Sequence, residues 1–349
     1  MHAMITRRSW AAAGATAVAT LLLIPGPAHA DKSPGTGSQG SVSAGGGRQG
    51  QEITSVIRYS GAIAGKGGKG GGAMKPVGDW TPPACWYEPR TAEQFRDQVE
   101  RSYEETVNMP GQHSYAKRAV GEFRDKYKDG EYKDYNLKEK DKGAWWVAVR
   151  DPDREFEDAA QACDKQPFWV EDGDRPPVDN ALSPELLAQL AYARMRLPDT
   201  EVSLAPEGTT KVNLPTWAWL DKARFKPLSA TASVDLPGLN LSATTTARPG
   251  SLRLDPGTKD ARTFPASGAC AKNADGSVGE PYAKGKGDRT PPCGVTYLRS
   301  SGEGTYDLRA TVTWNVSWDG AGTGGGALPD GEFGGEQPVR VEEIQAVNR

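Results

Sequence analysis

The sequence predicts an α+β protein, a small helical N-terminal region followed by a C-terminal β-sandwich, and three observations carry that prediction. In 304–319, Tyr306, Leu308, Ala310, Val312, Trp314, Val316 and Trp318 take every second position and polar residues fill the gaps, which puts the apolar set on one face of a strand. Ala92, Phe95, Val99, Tyr103 and Val107 recur instead at three and four residues, one stripe of a helix. After residue 199, seven or more short alternating segments divided by turn residues fall within roughly 140 positions, the pattern of a sandwich.

Taken in order, residues 1–30 read as a secretory signal. Arg7 and Arg8 precede an apolar run over 11–24, and Ala28-His29-Ala30 supplies the small-x-small cleavage site. That run is too short to span a bilayer, no other stretch qualifies, and no membrane span is predicted after cleavage. Removing 1–30 takes away two arginines and no acids, so the net charge moves from −3 to about −5. A mildly acidic chain gives no reason to expect nucleic acid or anionic lipid as a partner. The expected location is outside the cell, free or held at the wall by non-covalent contacts.

Residues 31–78, rich in Gly, Ser, Lys and Gln, read as a disordered leader with one short strand over 52–63. Residues 79–182 read as a small α+β region. It opens with the helix described above, started by a Thr91/Gln94 capping box, and a second helix presents Ala116, Val120, Phe123 and Tyr127 and ends at Gly130. The mixed charges of 133–142 suggest a solvated loop; Trp145, Trp146, Val147 and Val149, then Phe168, Trp169 and Val170, suggest two strands. Ser183-Pro184-Glu185 is a hydroxyl cap followed by a first-turn proline, and the helix over 183–198 is expected to join the two folded parts.

Residues 199–349 form the predicted sandwich. Short strands at 202–204, 211–214 and 217–220 lead to a hairpin in which Leu228 to Leu236 and Leu239 to Ala247 alternate about Pro237-Gly238. Leu252 and Leu254, Val295 to Tyr297, and 304–319 follow. At about 3.3 Å per residue the thirteen residues of its alternating part, 306–318, span roughly 43 Å, so a bend or a switch of sheet is expected near Trp314. The glycines of 320–335 suggest a loop, and a phase slip after Val341 suggests a bulge at Glu342-Glu343.

The four cysteines of an exported chain should be oxidised, and three pairings are possible. Keeping each bridge within its own region favours Cys85 with Cys163 and Cys270 with Cys293, which in the chain-entropy model contribute about 4.5 and 3 kcal/mol.

Val295-Thr296-Tyr297, the turn from Ser301 to Leu308, and Ala310-Thr311-Val312-Thr313 resemble the end of a PKD domain, where a tyrosine precedes a Gly-Thr-Tyr turn into a long strand. The family's Trp-Asp-Phe-Gly-Asp-Gly signature has only Leu254-Asp255-Pro256-Gly257-Thr258-Lys259-Asp260 in its place. The resemblance implies an immunoglobulin-like sandwich used as a spacer or contact module. Leu214-Pro215-Thr216-Trp217-Ala218-Trp219-Leu220-Asp221, the Cys270 to Cys293 excursion and 341–347 are similar to a group of exported actinobacterial proteins, over roughly residues 80–349. That likeness implies no catalytic residue.

The candidate chemistry is thin. Gly61 to Gly67 falls one residue short of a phosphate loop and lacks its hydroxyl, so nucleotide binding is not expected. Ser114-Tyr115-Ala116-Lys117 has the Ser-x-x-Lys spacing of penicillin-recognising enzymes without their partner motifs. His113, the sole histidine after residue 30, fits the start of a helix. The acids Asp151, Asp153, Glu155 and Glu171, Asp172, Asp174 match no calcium loop, and no metal or cofactor is predicted. Trp314 and Trp318 share the buried parity of their strand. Trp217 and Trp219, if they project from their sheet, are the best candidates for stacking on a carbohydrate or a partner. The expectation is a secreted, non-catalytic contact module for an unidentified protein or cell-wall polymer; the alternative is a secreted hydrolase, carbohydrate-active for example, with its site in residues 80–182.

Overall fold

A computed structural model describes residues 55–63, 71–223, 225–322 and 324–344. An N-terminal arm supplies β1 (Arg58–Gly61), β2 (Gly71–Ala73) and β3 (Lys75–Pro76). Next come β4 (Cys85–Arg90), α1 (Ala92–Asn108), α2 (Ser114–Lys128), β5 (Gly143–Arg150), β6 (Phe168–Glu171) and α3 (Pro184–Arg194). The strands β7 (Arg196–Pro198), β8 (Ser203–Ala205), β9 (Thr209–Lys211), β10 (Thr216–Trp219), β11 (Leu228–Leu236) and β12 (Leu239–Asp255) follow. The last are β13 (Ala261–Phe264), β14 (Ala269–Ala271), β15 (Gly294–Tyr297), β16 (Tyr306–Asp319) and β17 (Gly325–Glu342).

The long strands β11, β12, β16 and β17 pair antiparallel, each with the next, and β16 sits at the centre. Its alternation is as the sequence predicts, with Leu308, Ala310, Val312, Trp314 and Val316 buried. Residues opposite one another in a ladder share a face. Ala247, Pro249, Leu252 and Leu254 of β12 therefore join Val316, Trp314, Val312 and Ala310 on the inner side. The expected bend has a physical counterpart at Trp314. The register slips between Pro249 and Ser251 on one neighbour, and between Trp314 and Val316 against β17 on the other, two irregularities that curve a sheet without breaking it. No switch of sheet occurs.

Two layers cover that inner face. At one end α3 lies against β11, β12 and β16, and the buried hydroxyl of Thr245 donates to the Ala188 carbonyl at 2.8 Å. At the other end is a second antiparallel sheet in the order β13-β15-β10-β8. Its Tyr297 stacks on Tyr306 with ring centroids 5.3 Å apart, and Phe225, just after β10, reaches within 6.3 Å of the Trp314 ring. The chain is thus β-rich, with large antiparallel sheets.

The region over 79–182 is a three-stranded sheet, β4-β5-β6, with α1 and α2 packed on it. Phe95 of α1 stacks on Trp145 of β5 at 4.5 Å, and the Thr91/Gln94 capping box forms as read. Both preferred disulfides are present, Cys85 with Cys163 and Cys270 with Cys293.

Several expectations need correcting. The described part of the leader is ordered: β1 pairs with β11 and β3 with β17, so one arm covers part of both edges of the main sheet. Of its apolar side chains Ile57, Tyr59 and Met74 are buried, Val56 and Ile63 are half-buried against the core, and Val77 is exposed. The rest of 31–78, like the signal over 1–30, lies outside the described residues.

The helix read as a joint is core instead. Leu186, Leu187, Ala188, Leu190, Ala191 and Tyr192 are buried around most of its circumference, and all described residues fall in one compact unit, Gln39–Arg349. The glycine-rich stretch read as a loop is mostly β17, and β17 runs through Glu342, so the predicted bulge at Glu342-Glu343 is absent. The charged run 133–142 is not simply solvated, since Tyr135 is buried in a turn whose residues 133–136 all take positive φ.

Candidate functional site

β10 is paired on both sides, to β8 through Trp217↔Ala205 and Trp219↔Ser203, and to β15 through Thr216↔Val295. Beyond β15's reach a second segment takes over. Leu220 N–H donates to the Val278 carbonyl at 3.0 Å, and Trp219 bridges to Gly279. Gly279 has φ +72°, and a Cβ there would stand 2.3 Å from the Ala218 carbonyl oxygen, so this approach requires glycine. The Cys270–Cys293 bridge closes the excursion that carries it, fixing Val278 and Gly279 beside β10.

Strand alternation sets Trp217 and Trp219 on one face and Thr216, Ala218 and Leu220 on the other. The excursion folds over the first tryptophan. Trp217 is only 3% exposed, under the edge of Tyr282 at 5.9 Å and with Lys286 Nζ 5.4 Å from its ring centroid. It is therefore not available for stacking on a ligand, a correction to the reading that paired it with Trp219. Trp219 is half-buried and lines a groove of about 730 Å³ together with Asp221, Lys222, Asn273, Asp275 and Glu280. Tyr282, beside the groove, is 42% exposed.

The polar groups of the groove hold one another in place. Lys222 Nζ donates to Asp275 at 2.5 Å, and Asp275 also accepts from the backbone and hydroxyl of Ser277. The bond from Lys222, then those from Ser277, hold the Asp275 carboxyl below its ordinary range, so it is ionised at neutral pH. Asn273 Nδ2 donates to Ser277 Oγ and to the Gly279 carbonyl, both at 2.8 Å; Lys286 pairs with Glu280. Asp221 and the 273–280 residues were missed from sequence because fifty positions separate them. The visible signal was the disulfide-closed excursion with its prolines and Tyr282.

The remaining candidates are placed as follows. Lys117 Nζ donates to the Val107 carbonyl at 2.6 Å, closing the end of α1, and Ser114 begins α2. His113 holds the N-cap position of α2 and stacks on Tyr115. Gly61 ends the arm's edge strand and Ala62-Ile63 follow it, while 64–67 lie outside the described residues. Asp151 and Asp153 both accept from Arg194, at 3.1 and 3.2 Å, while Glu171, Asp172 and Asp174 line a shallow cleft near the β11–β12 turn. Trp314 is buried as expected, and Trp318 is half-buried against the core.

Within residues 80–182 two carboxylates are heavily engaged. Glu88 is fully buried among four donors, and Glu100 accepts from Arg124 at 2.6 Å, Tyr135 at 2.8 Å and Lys128 at 3.0 Å. Burial pushes the Glu100 carboxyl upward, but the three donors outweigh it and bring it down to about 2. A depressed carboxyl stabilises the fold above its unfolded value near 4.3, and loses that contribution as the pH falls through about 2. Allowing for its partial exposure, Glu100→Gln is expected to cost about 1–2 kcal/mol at pH 7 and almost nothing at pH 2, measured by urea denaturation at both.

The chain matches no family model, no curated protein and no solved structure.

Proposed function

We propose that the protein is exported and works as a non-catalytic contact module at the cell surface or in the medium, gripping a wall polymer or a surface protein through the groove beside Trp219. The observation that carries this reading is a half-buried tryptophan set among polar side chains in a groove whose wall is fixed by a disulfide and a glycine that admits no Cβ. A wall built this way orders little on binding, so its contacts are not spent on fixing loops. Two disulfides suit an oxidising compartment, and no described helix is long and apolar enough to cross a membrane. The second sheet laid across one end of the long strands supports an immunoglobulin-like, PKD-like sandwich for residues 199–349.

Co-sedimentation with purified cell-wall material tests the reading. The wild type should pellet with the wall, and Trp219→Ala should weaken that retention roughly tenfold, the effect of removing a central aromatic anchor. Retention unchanged in the variant overturns the groove as the contact surface. Release of soluble sugar or peptide from the wall by the pure protein overturns the non-catalytic half.

A further inference from the structure

We infer that the groove beside Trp219 takes an uncharged saccharide chain, an inference that rests on the contact-module reading and gives it a ligand class. A pyranose has an apolar C–H face and a rim of hydroxyl donors, so its binding site needs a flat aromatic surface with acceptors at the edge. Trp219 supplies the surface, and Asp221, Asp275, Glu280 and Asn273 bring carboxylate and amide oxygens to the same groove. Hydroxyls bonded to carboxylates are among the stronger neutral-to-ion hydrogen bonds. The volume, about 730 Å³, lies within the roughly 300–1,000 Å³ typical of small-ligand sites.

Charge argues against a polyanion. Among the described lining residues three acids, Asp221, Asp275 and Glu280, face one cation, Lys222, and that lysine is already tied to Asp275. Lys286, the next nearest, is paired with Glu280 and lies over the Trp217 ring. A phosphate or uronate chain would meet net negative potential. An extended peptide is disfavoured on different grounds. Peptides commonly bind by adding a strand to a free sheet edge, and both edges of β10 are taken, by β8 on one side and by β15 and the Val278–Gly279 segment on the other. Rigidity completes the case, since Pro281, Pro292, Gly279 and the Cys270–Cys293 bridge hold the wall in one shape.

Native affinity electrophoresis tests this on the full mature chain. Gels would contain a neutral β-glucan, a neutral α-glucan or a galactomannan, and control gels dextran sulfate; poly-lysine binding would be followed by tryptophan fluorescence. At least one neutral polysaccharide should retard the wild type. Trp219→Ala should weaken the retardation tenfold or more, and Trp219→Tyr should keep part of it, with thermal melting confirming that both variants are folded. Asp221→Asn should weaken it less. Three results overturn the inference: no neutral polysaccharide retards the protein, Trp219→Ala binds as well as wild type, or dextran sulfate or poly-lysine binds in a Trp219-dependent way. Wall retention that persists while every neutral polysaccharide fails would leave the contact module standing and remove its saccharide ligand.

Discussion

Glu88→Ala is expected to destabilise the protein by roughly 3–5 kcal/mol, the cost of removing one partner from a buried ion pair. Glu88 is 0% exposed, and each of its oxygens is used twice. Oε1 accepts from Ser55 Oγ and Trp86 Nε1, both at 2.6 Å, and Oε2 accepts from Val56 N and Arg90 Nη1, both at 2.9 Å. Alanine takes the carboxylate from a buried guanidinium and leaves an indole N–H and a backbone N–H in an apolar surrounding. It also cuts the arm loose at its start, because Ser55 and Val56 precede the strand that covers β11. Glutamine keeps the shape but offers an NH₂ where two donors already point, so Glu88→Gln should fall between alanine and wild type. Urea denaturation gives the magnitudes, and hydrogen exchange gives the location: the Val56, Arg58 and Ser60 amides should lose protection before those of β16. A loss below about 1 kcal/mol for alanine would mean that the carboxylate does not anchor the arm.

The elements that could be read from sequence are those whose own side chains state which face is buried. β16 and the β11–β12 hairpin alternate strictly because one side meets a core and the other water, and the α1 stripe and capping box are local by nature. The failures share a cause, which is that the deciding partner lies far away in the chain. Glycines in 325–335 look like a loop until Met74 and Tyr192 are in place; a Cβ on Gly331 would stand 2.1 Å from Met74 Cγ and 2.7 Å from the Tyr192 hydroxyl. They mark a close approach across a strand, not a break in it.

The arm was missed because edge pairing uses backbone groups that any sequence offers, and only Ile57, Tyr59 and Met74 betray its burial. β4 was missed because Glu88, Pro89 and Arg90 interrupt its apolar run. The proline is tolerated because β4 is an edge strand of its sheet, and the charges because they satisfy each other and the arm. At the groove, the sequence supplied the tryptophans and the disulfide but not the choice between Trp217 and Trp219. That choice depends on where the excursion folds back.

Trp314→Ala is expected to cost about 3–5 kcal/mol, the range for deleting a large buried aromatic side chain, while Trp314→Phe should cost far less. Trp314 is 0% exposed and stands where the register slips on both neighbouring strands, opposite Pro249 on one and Gly331 on the other. Neither of those residues can fill the space an alanine would open. Pro249 is fixed by its ring, and Gly331 has no side chain because Met74 and Tyr192 occupy that position. The cavity would therefore persist rather than collapse, which is the expensive outcome for a core truncation. The indole N–H has no hydrogen-bond partner among the described residues, so part of what the ring contributes by packing is already lost to a buried, unmatched donor. Phenylalanine removes that donor along with some volume, and the two effects oppose each other, leaving a loss of about 1–2 kcal/mol or less. Thermal and urea denaturation of both variants decide the matter. Equal losses for phenylalanine and alanine would show that the N–H is bonded after all, for instance to an internal water, and a negligible loss for alanine would show that this ring does not centre the sheet.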